Sequence, residues 1–137
     1  MAATVTAQHV TGSRTSVIAG RIIMALVTTF LLFDAVLHFT TIEPVVEAFT
    51  RLGYPLNLAV TLGVIEIVCV ALYVIPRTAV LGAILLTGYL GGAVATHVRV
   101  GSSLFGEVLF PVYVGVFIWG ALFLLDTRVR TLIPLRG

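Results

Sequence analysis

Asp34 and His38 stand four residues apart inside a long apolar stretch, and a second carboxylate, Glu66, interrupts the next one. That spacing is one helical turn, so on a helix Asp34 and His38 share a face. An ionisable side chain at bilayer depth costs about 2.5 to 3.5 kcal/mol on insertion scales. Carboxylates and imidazoles held in low dielectric can trade protons, which makes a proton relay, or a site for a lipophilic substrate such as a quinone, the chemistry these residue types offer. His97 and Arg99 extend the set, and the candidate catalytic residues are Asp34, His38, Glu66, His97 and Arg99. A purely structural role competes with this. Asp34 could pair with His38 or Arg99, and a protonated Glu66 could bond to a neighbouring helix, the set serving only to fix helix register. The functional reading stands ahead, because an intramembrane ionisable group is a functional hypothesis by default.

Two histidines and two carboxylates could in principle supply a metal's ligands. Their spacing carries no close-range ligand motif beyond the i, i+4 pair, so no metal is assigned to them. His38 and His97 on different helices could hold a haem axially, but nothing else in the chain supports it. Cys69 follows Glu66 by three residues and reads as a small core residue; as the single cysteine it rules out an intrachain dithiol relay. Tyr89 lies two turns from His97 in a span otherwise made of small and aliphatic residues, and its hydroxyl is a further candidate. His9 sits in a polar tail with no second ligand nearby and reads as solvated.

The elements that position these residues follow from composition. Of 137 residues, 59% are hydrophobic and 10% charged, with a mean hydropathy of +1.14, far too apolar for an ordinary soluble domain. This is the pattern of a membrane protein. All eight basic residues are arginine and the net charge is +2. They sit in loops and tails with no interleaved aromatics, so the basic balance reports topology and excludes a nucleic-acid surface.

Apolar windows predict four spans, at about residues 21–41, 57–75, 79–96 and 108–125, each long enough at about 1.5 Å per residue to cross a hydrocarbon core of about 30 Å. Backbone groups in lipid must be satisfied internally, so the expected fold is all-α: a transmembrane four-helix bundle over residues 17–131, with tails at 1–16 and 132–137. Arg14 and Arg21 ahead of an apolar run resemble a signal peptide, but the run continues past Asp34 without a convincing cleavage site. Pro76, Arg77 and Thr78 separate the second and third spans and predict a tight hairpin. An even span count puts both termini on one face. That face carries Arg14, Arg21, Arg77, Arg128, Arg130 and Arg136 against Arg51 and Arg99 opposite, which predicts a plasma-membrane protein with both termini cytoplasmic.

Between the first two spans, Pro44 opens and Gly53 closes a stretch in which Val45, Val46, Phe49 and Leu52 recur at helical spacing. A short amphipathic helix on the outer interface is expected there, with Glu47, Thr50 and Arg51 toward water. In the third span Gly88, Gly92 and Thr96 recur every four residues, with Gly91 and Ala95 alongside, a strip that lets another helix approach closely, from this chain or from a second copy.

Depth then orders the polar groups. With the first span running outward, Asp34 lies about 10 Å and His38 about 5 Å below its outer end. Glu66 is near mid-depth, His97 at the outer end of its span, and Arg99 and Glu107 flank the outer turn. The set describes a polar cleft opening outward.

The strings FDAVLH at 33–38, LGYP at 52–55, GYLGGAVATH at 88–97 with Arg99 following, and LFPVYVGVFIWGALFLLDTRVRTLIP at 109–134 resemble the DoxX-like family of small four-span membrane proteins. The likeness covers nearly the whole chain after the tail. It implies a four-helix bundle in which Asp34, His38, Glu66, His97 and Arg99 belong to the family's pattern. The family takes its name from a subunit linked to thiosulfate and quinone oxidation, so the resemblance also implies a link to a membrane redox system.

Two functions are carried forward. The first is a component of a membrane redox system handling quinone-like or other lipophilic molecules through the Asp/His/Glu pocket. The alternative is a non-enzymatic scaffold or partner-binding subunit, resting on the glycine strip and open to a homo-oligomer or a membrane-protein partner. A transporter would need a passage that four spans leave little room for.

Overall fold

The computed structural model describes residues 13–132, all of its regular structure helical. Helix α1 (Arg14–Leu37) starts earlier than the apolar run implies, because the Ser13 hydroxyl accepts the Ser16 N–H at 3.3 Å and caps it. The expected tail thus overlaps the cap and helix at Ser13 to Ser16; residues 1–12 of that tail, with His9, and 133–137 of the C-terminal one lie outside the described residues. Helix α2 (Glu43–Leu52) opens with Pro44 in its first turn and stops at Gly53, whose φ of 71° is the left-handed value glycine adopts without strain. The Tyr54 N–H then donates back to the Phe49 carbonyl at 2.9 Å.

Helix α3 (Leu58–Val74) ends because Pro76 forces Ile75 into an extended conformation. The Thr78 hydroxyl donates to the Leu72 carbonyl at 2.8 Å and closes the hairpin into α4 (Ala79–Arg99). A π-helical turn, Leu104–Val108, leads into α5 (Phe110–Leu125). A last short helix, α6 (Thr127–Leu132), folds back so that Arg130 donates to the Phe123 and Leu124 carbonyls, both at 2.6 Å, satisfying the end of α5.

Among the described residues, three segments are long and apolar enough to cross a membrane: Arg14–Leu37, Ala79–Arg99 and Leu104–Leu125. Helix α3 is as apolar but has 17 residues. The outward faces agree with a lipid surrounding: Ile22, Leu26 and Phe33 on α1, and Val116 and Phe117 on α5, are exposed large hydrophobics, an apolar surface beyond what a soluble monomer carries.

Helix α1 packs on α3 and α5, and α4 packs on the same two, which closes a ring. Inside it, Leu31, Val70, Tyr73, Leu86, Ile118 and Leu122 are fully buried. Lipid offers no hydrophobic drive for helix association, so close contact and hydrogen bonds must hold the ring. Tyr73 donates its hydroxyl to the Ile118 carbonyl at 3.0 Å, and Trp119 donates to the Thr87 hydroxyl at 2.9 Å. At Gly82 an added Cβ would lie 2.3 Å from the Tyr73 nitrogen, so only glycine lets α4 come this near α3.

Candidate functional site

The packing opens at the end of the ring nearest α2. A cavity of about 480 Å³ lies among α1, α3, α4 and α5, with Phe49 and Leu52 of α2 over it. Most of its wall is apolar, contributed by side chains such as Phe30, Leu62, Leu90 and Val114. Its room comes partly from Gly88 and Gly92, whose missing side chains would meet nothing within 4 Å. The glycine strip therefore meets no helix of this chain at those two positions; it lines the cavity.

Asp34, His38 and Glu66 converge on that cavity, each offering a ligand atom within 4.8 Å of the others. The His38 Nδ1 is 2.9 Å from the Asp34 backbone carbonyl, which can only accept, so Nδ1 carries the proton in this arrangement. The same nitrogen is 3.8 Å from Asp34 Oδ2 and 3.8 Å from Glu66 Oε2. Phe49 stands edge-on to the imidazole, its ring centre 5.8 Å away, and holds it from the α2 side. What brings α1 onto α3 here is Gly63, one turn before Glu66: a Cβ there would lie 2.9 Å from the His38 Cβ and 3.0 Å from the Ala35 carbonyl.

Glu66 is completely buried, and its two oxygens differ. Oε2 accepts the Tyr89 hydroxyl at 3.2 Å. Oε1 is buried with no partner, which is costly for any polar atom and more so for a charged one. Asp34 is half exposed toward the cavity. Tyr89, a further candidate two turns from His97, serves Glu66, and the α1 to α3 contact through Gly63 escaped the sequence reading although the glycine itself was visible.

The remaining candidates lie farther toward α2. His97 lines the cavity and its Nδ1 is 3.0 Å from the Ser102 hydroxyl. Arg99 is not part of the lining: it donates to the Leu52 carbonyl at the end of α2 and lies over the Tyr54 ring, 5.9 Å from its centre. Arg51 on α2 pairs with Glu107 at 2.5 Å, and the Tyr54 and Thr96 hydroxyls are 2.9 Å apart. Arg99 and Glu107 thus act as ties that hold α2 over the cavity rather than as groups within it.

Residues 22–121 match the model of the DoxX-like family. The chain belongs to that family. DoxX-like proteins are small membrane proteins, and this one carries several helices suited to crossing a bilayer. No curated protein and no solved structure matches it. The matched stretch of this DoxX-like protein runs from early α1 to near the end of α5, so Asp34, His38, Glu66, His97 and Arg99 all fall inside it.

Proposed function

We propose that this DoxX-like protein is a four-span bundle of the plasma membrane whose cavity binds a quinone-like or other lipophilic small molecule as part of a membrane redox system. Helix α3, with 17 residues, spans about 26 Å at about 1.5 Å per residue, and the short turn before it supplies the rest. Arg14, Arg21, Arg77, Arg128 and Arg130 gather at the end away from α2, which supports cytoplasmic termini and an outward-facing cavity. In this reading α2 lies at the outer interface, its apolar side over the cavity.

One observation supports the ligand class: an apolar-walled cavity has Glu66 in its lining, and Oε1 of that carboxylate is buried without a partner. A flat lipophilic body suits the walls, and a hydroxyl on it would donate to Glu66 Oε1. Asp34, Glu66 and His97 are the proton-handling groups. A quinol-type hydroxyl surrendering its proton would find Glu66 first and Asp34 beside it, half exposed and able to pass the proton on.

The test is binding of a short-tailed quinone and its quinol to the purified protein in lipid nanodiscs, followed by equilibrium dialysis. Binding is expected to change between about pH 5 and 8, and Glu66→Gln is expected to weaken quinol by about tenfold, equivalent to about 1.4 kcal/mol. Equal binding by wild type and an Asp34→Asn, His97→Ala double variant across that range would sink the proposal.

A further inference from the structure

In sequence only Asp34 and His38 stand at close ligand spacing; the fold brings a third ligand, Glu66, to them from a different helix. We infer that Asp34, His38 and Glu66 form a binding site for one divalent transition-metal cation of the zinc, manganese or iron(II) kind. This goes beyond the reading above, since it concerns an ion and stands without any organic ligand.

Three features carry it. The first is reach. The ligand atoms lie within 4.8 Å of one another, and three atoms bonded to one ion at about 2.0 to 2.2 Å stand no more than about 3.8 Å apart on average, so the groups close by at most about 1 Å; His38 Nδ1 is already 3.8 Å from an oxygen of each carboxylate. The second is the unused oxygen. Glu66 Oε2, 3.8 Å from His38 Nδ1, is already oriented by the Tyr89 hydroxyl at 3.2 Å, while Oε1 of the same carboxylate is buried without a partner; ligating carboxylates are commonly held by an outer hydrogen bond in this way. The third is charge. Two carboxylates and a dication sum to zero with a neutral imidazole, and a neutral cluster is what a low-dielectric surrounding tolerates.

Among the described residues His38 is the one basic side chain within 4 Å of either carboxylate, since Arg51 is held by Glu107 and Arg99 donates to the Leu52 carbonyl. An imidazole in the set favours zinc, manganese or iron over calcium and magnesium, which prefer all-oxygen shells. The nitrogen facing the carboxylates is Nδ1. On binding it gives up its hydrogen bond to the Asp34 carbonyl, the proton moves to Nε2, and a coordination bond replaces the lost contact. Three protein ligands leave at least one position open toward the cavity.

The experiment uses the full chain without a polyhistidine tag, purified in detergent, stripped with a chelator and titrated with cobalt(II) as a spectroscopic probe. Ligand-field absorption is expected to saturate at one cobalt per chain and to be displaced by zinc. Glu66→Gln and Asp34→Asn are each expected to weaken cobalt binding by at least about tenfold, the size that losing even an outer-shell partner reaches. Circular dichroism reports whether each variant is folded, and Asp34, being half exposed, is the safer substitution. No saturable absorption in the wild type, or unchanged binding in folded Asp34→Asn, overturns the inference. Quinone binding without a cobalt site overturns it too while leaving the previous reading intact, and a cobalt site without quinone binding does the reverse.

Discussion

Helix α4 puts glycine to opposite uses at its two ends. At the hairpin end Gly82 lies against the Tyr73 backbone and Gly20 against Leu124 and Leu125, whose atoms would stand 2.8 to 2.9 Å from an added Cβ. Toward α2, Gly88 and Gly92 face open space. Side chains follow the same division. Tyr73, Leu86, Ile118 and Leu122 fill the ring near the hairpin, and Arg130 ties off the end of α5. Near α2 the ring is held by Arg51 with Glu107, Arg99 with the Leu52 carbonyl, and Tyr54 with Thr96, all around a cavity. In lipid, where contact rather than water exclusion holds helices together, the packed end supplies cohesion. That lets the other end stay open around buried polar groups.

The sharpest break in this contrast is a matched pair of alanine substitutions. Gly82→Ala drives a methyl to 2.3 Å from a backbone nitrogen that cannot move aside, an overpacking cost at or above the upper end of about 1 to 3 kcal/mol. Gly88→Ala meets nothing within 4 Å, and alanine is the better helix former by about 1 kcal/mol. Size-exclusion profiles in detergent with thermal melts should show Gly82→Ala lost or strongly destabilised and Gly88→Ala at least as stable as wild type. Equal stability of the two would mean the ends are not packed differently.

A second substitution separates packing from occupancy. Gly92→Leu places a large side chain on the cavity wall, from a position where an added Cβ meets nothing within 4 Å. The protein is expected to stay folded, whereas quinone affinity should fall by about tenfold or more. Loss of an oligomer with ligand binding intact would instead favour the strip as a surface for a second copy.

These glycines also show how far sequence could reach. Apolar runs placed the helices, and Pro44 and Gly53 marked α2, because such signals are local. Ser13 was equally local, yet its cap on α1 lay hidden in a stretch of small polar residues. Asp34 and His38 were legible as a pair because one helix carries both. That Glu66 joins them depends on how α3 is rotated against α1, which Gly63 decides through contacts 25 residues away in sequence, from His38. Gly88 and Gly92 read in sequence as a helix-packing strip, and nothing in the spacing separates a glycine pressed by a helix from one that lines a void. Tyr89 stood out in sequence by its hydroxyl two turns from His97 on one helix; its partner across the ring, Glu66, was not visible.

The smallest effect is expected beyond the packed end, at Asp126. Its Oδ1 accepts the Arg128 N–H at 2.9 Å, heading α6, and the Arg128 side chain lies 3.3 Å away. Burial pushes the Asp126 carboxyl upward, but hydrogen bonds from Arg128 outweigh it and hold the group below its ordinary 3.8. With the folded value depressed, the stabilisation is fully present above the unfolded value and fades as pH falls through the folded one. The arginine is mostly exposed, so the ion pair adds at most about 1 kcal/mol, and loss of the cap in Asp126→Ala costs about 0.5 to 2 kcal/mol. Amide exchange in α6 should be faster in Asp126→Ala than in wild type at pH 6, with Asp126→Asn between them. At a pH below 3.8 the wild type should approach the asparagine variant. Identical exchange in all three at pH 6 would show that α6 is held by Val129 and the Arg130 contacts alone, and the tie at this end would rest on packing rather than on the cap.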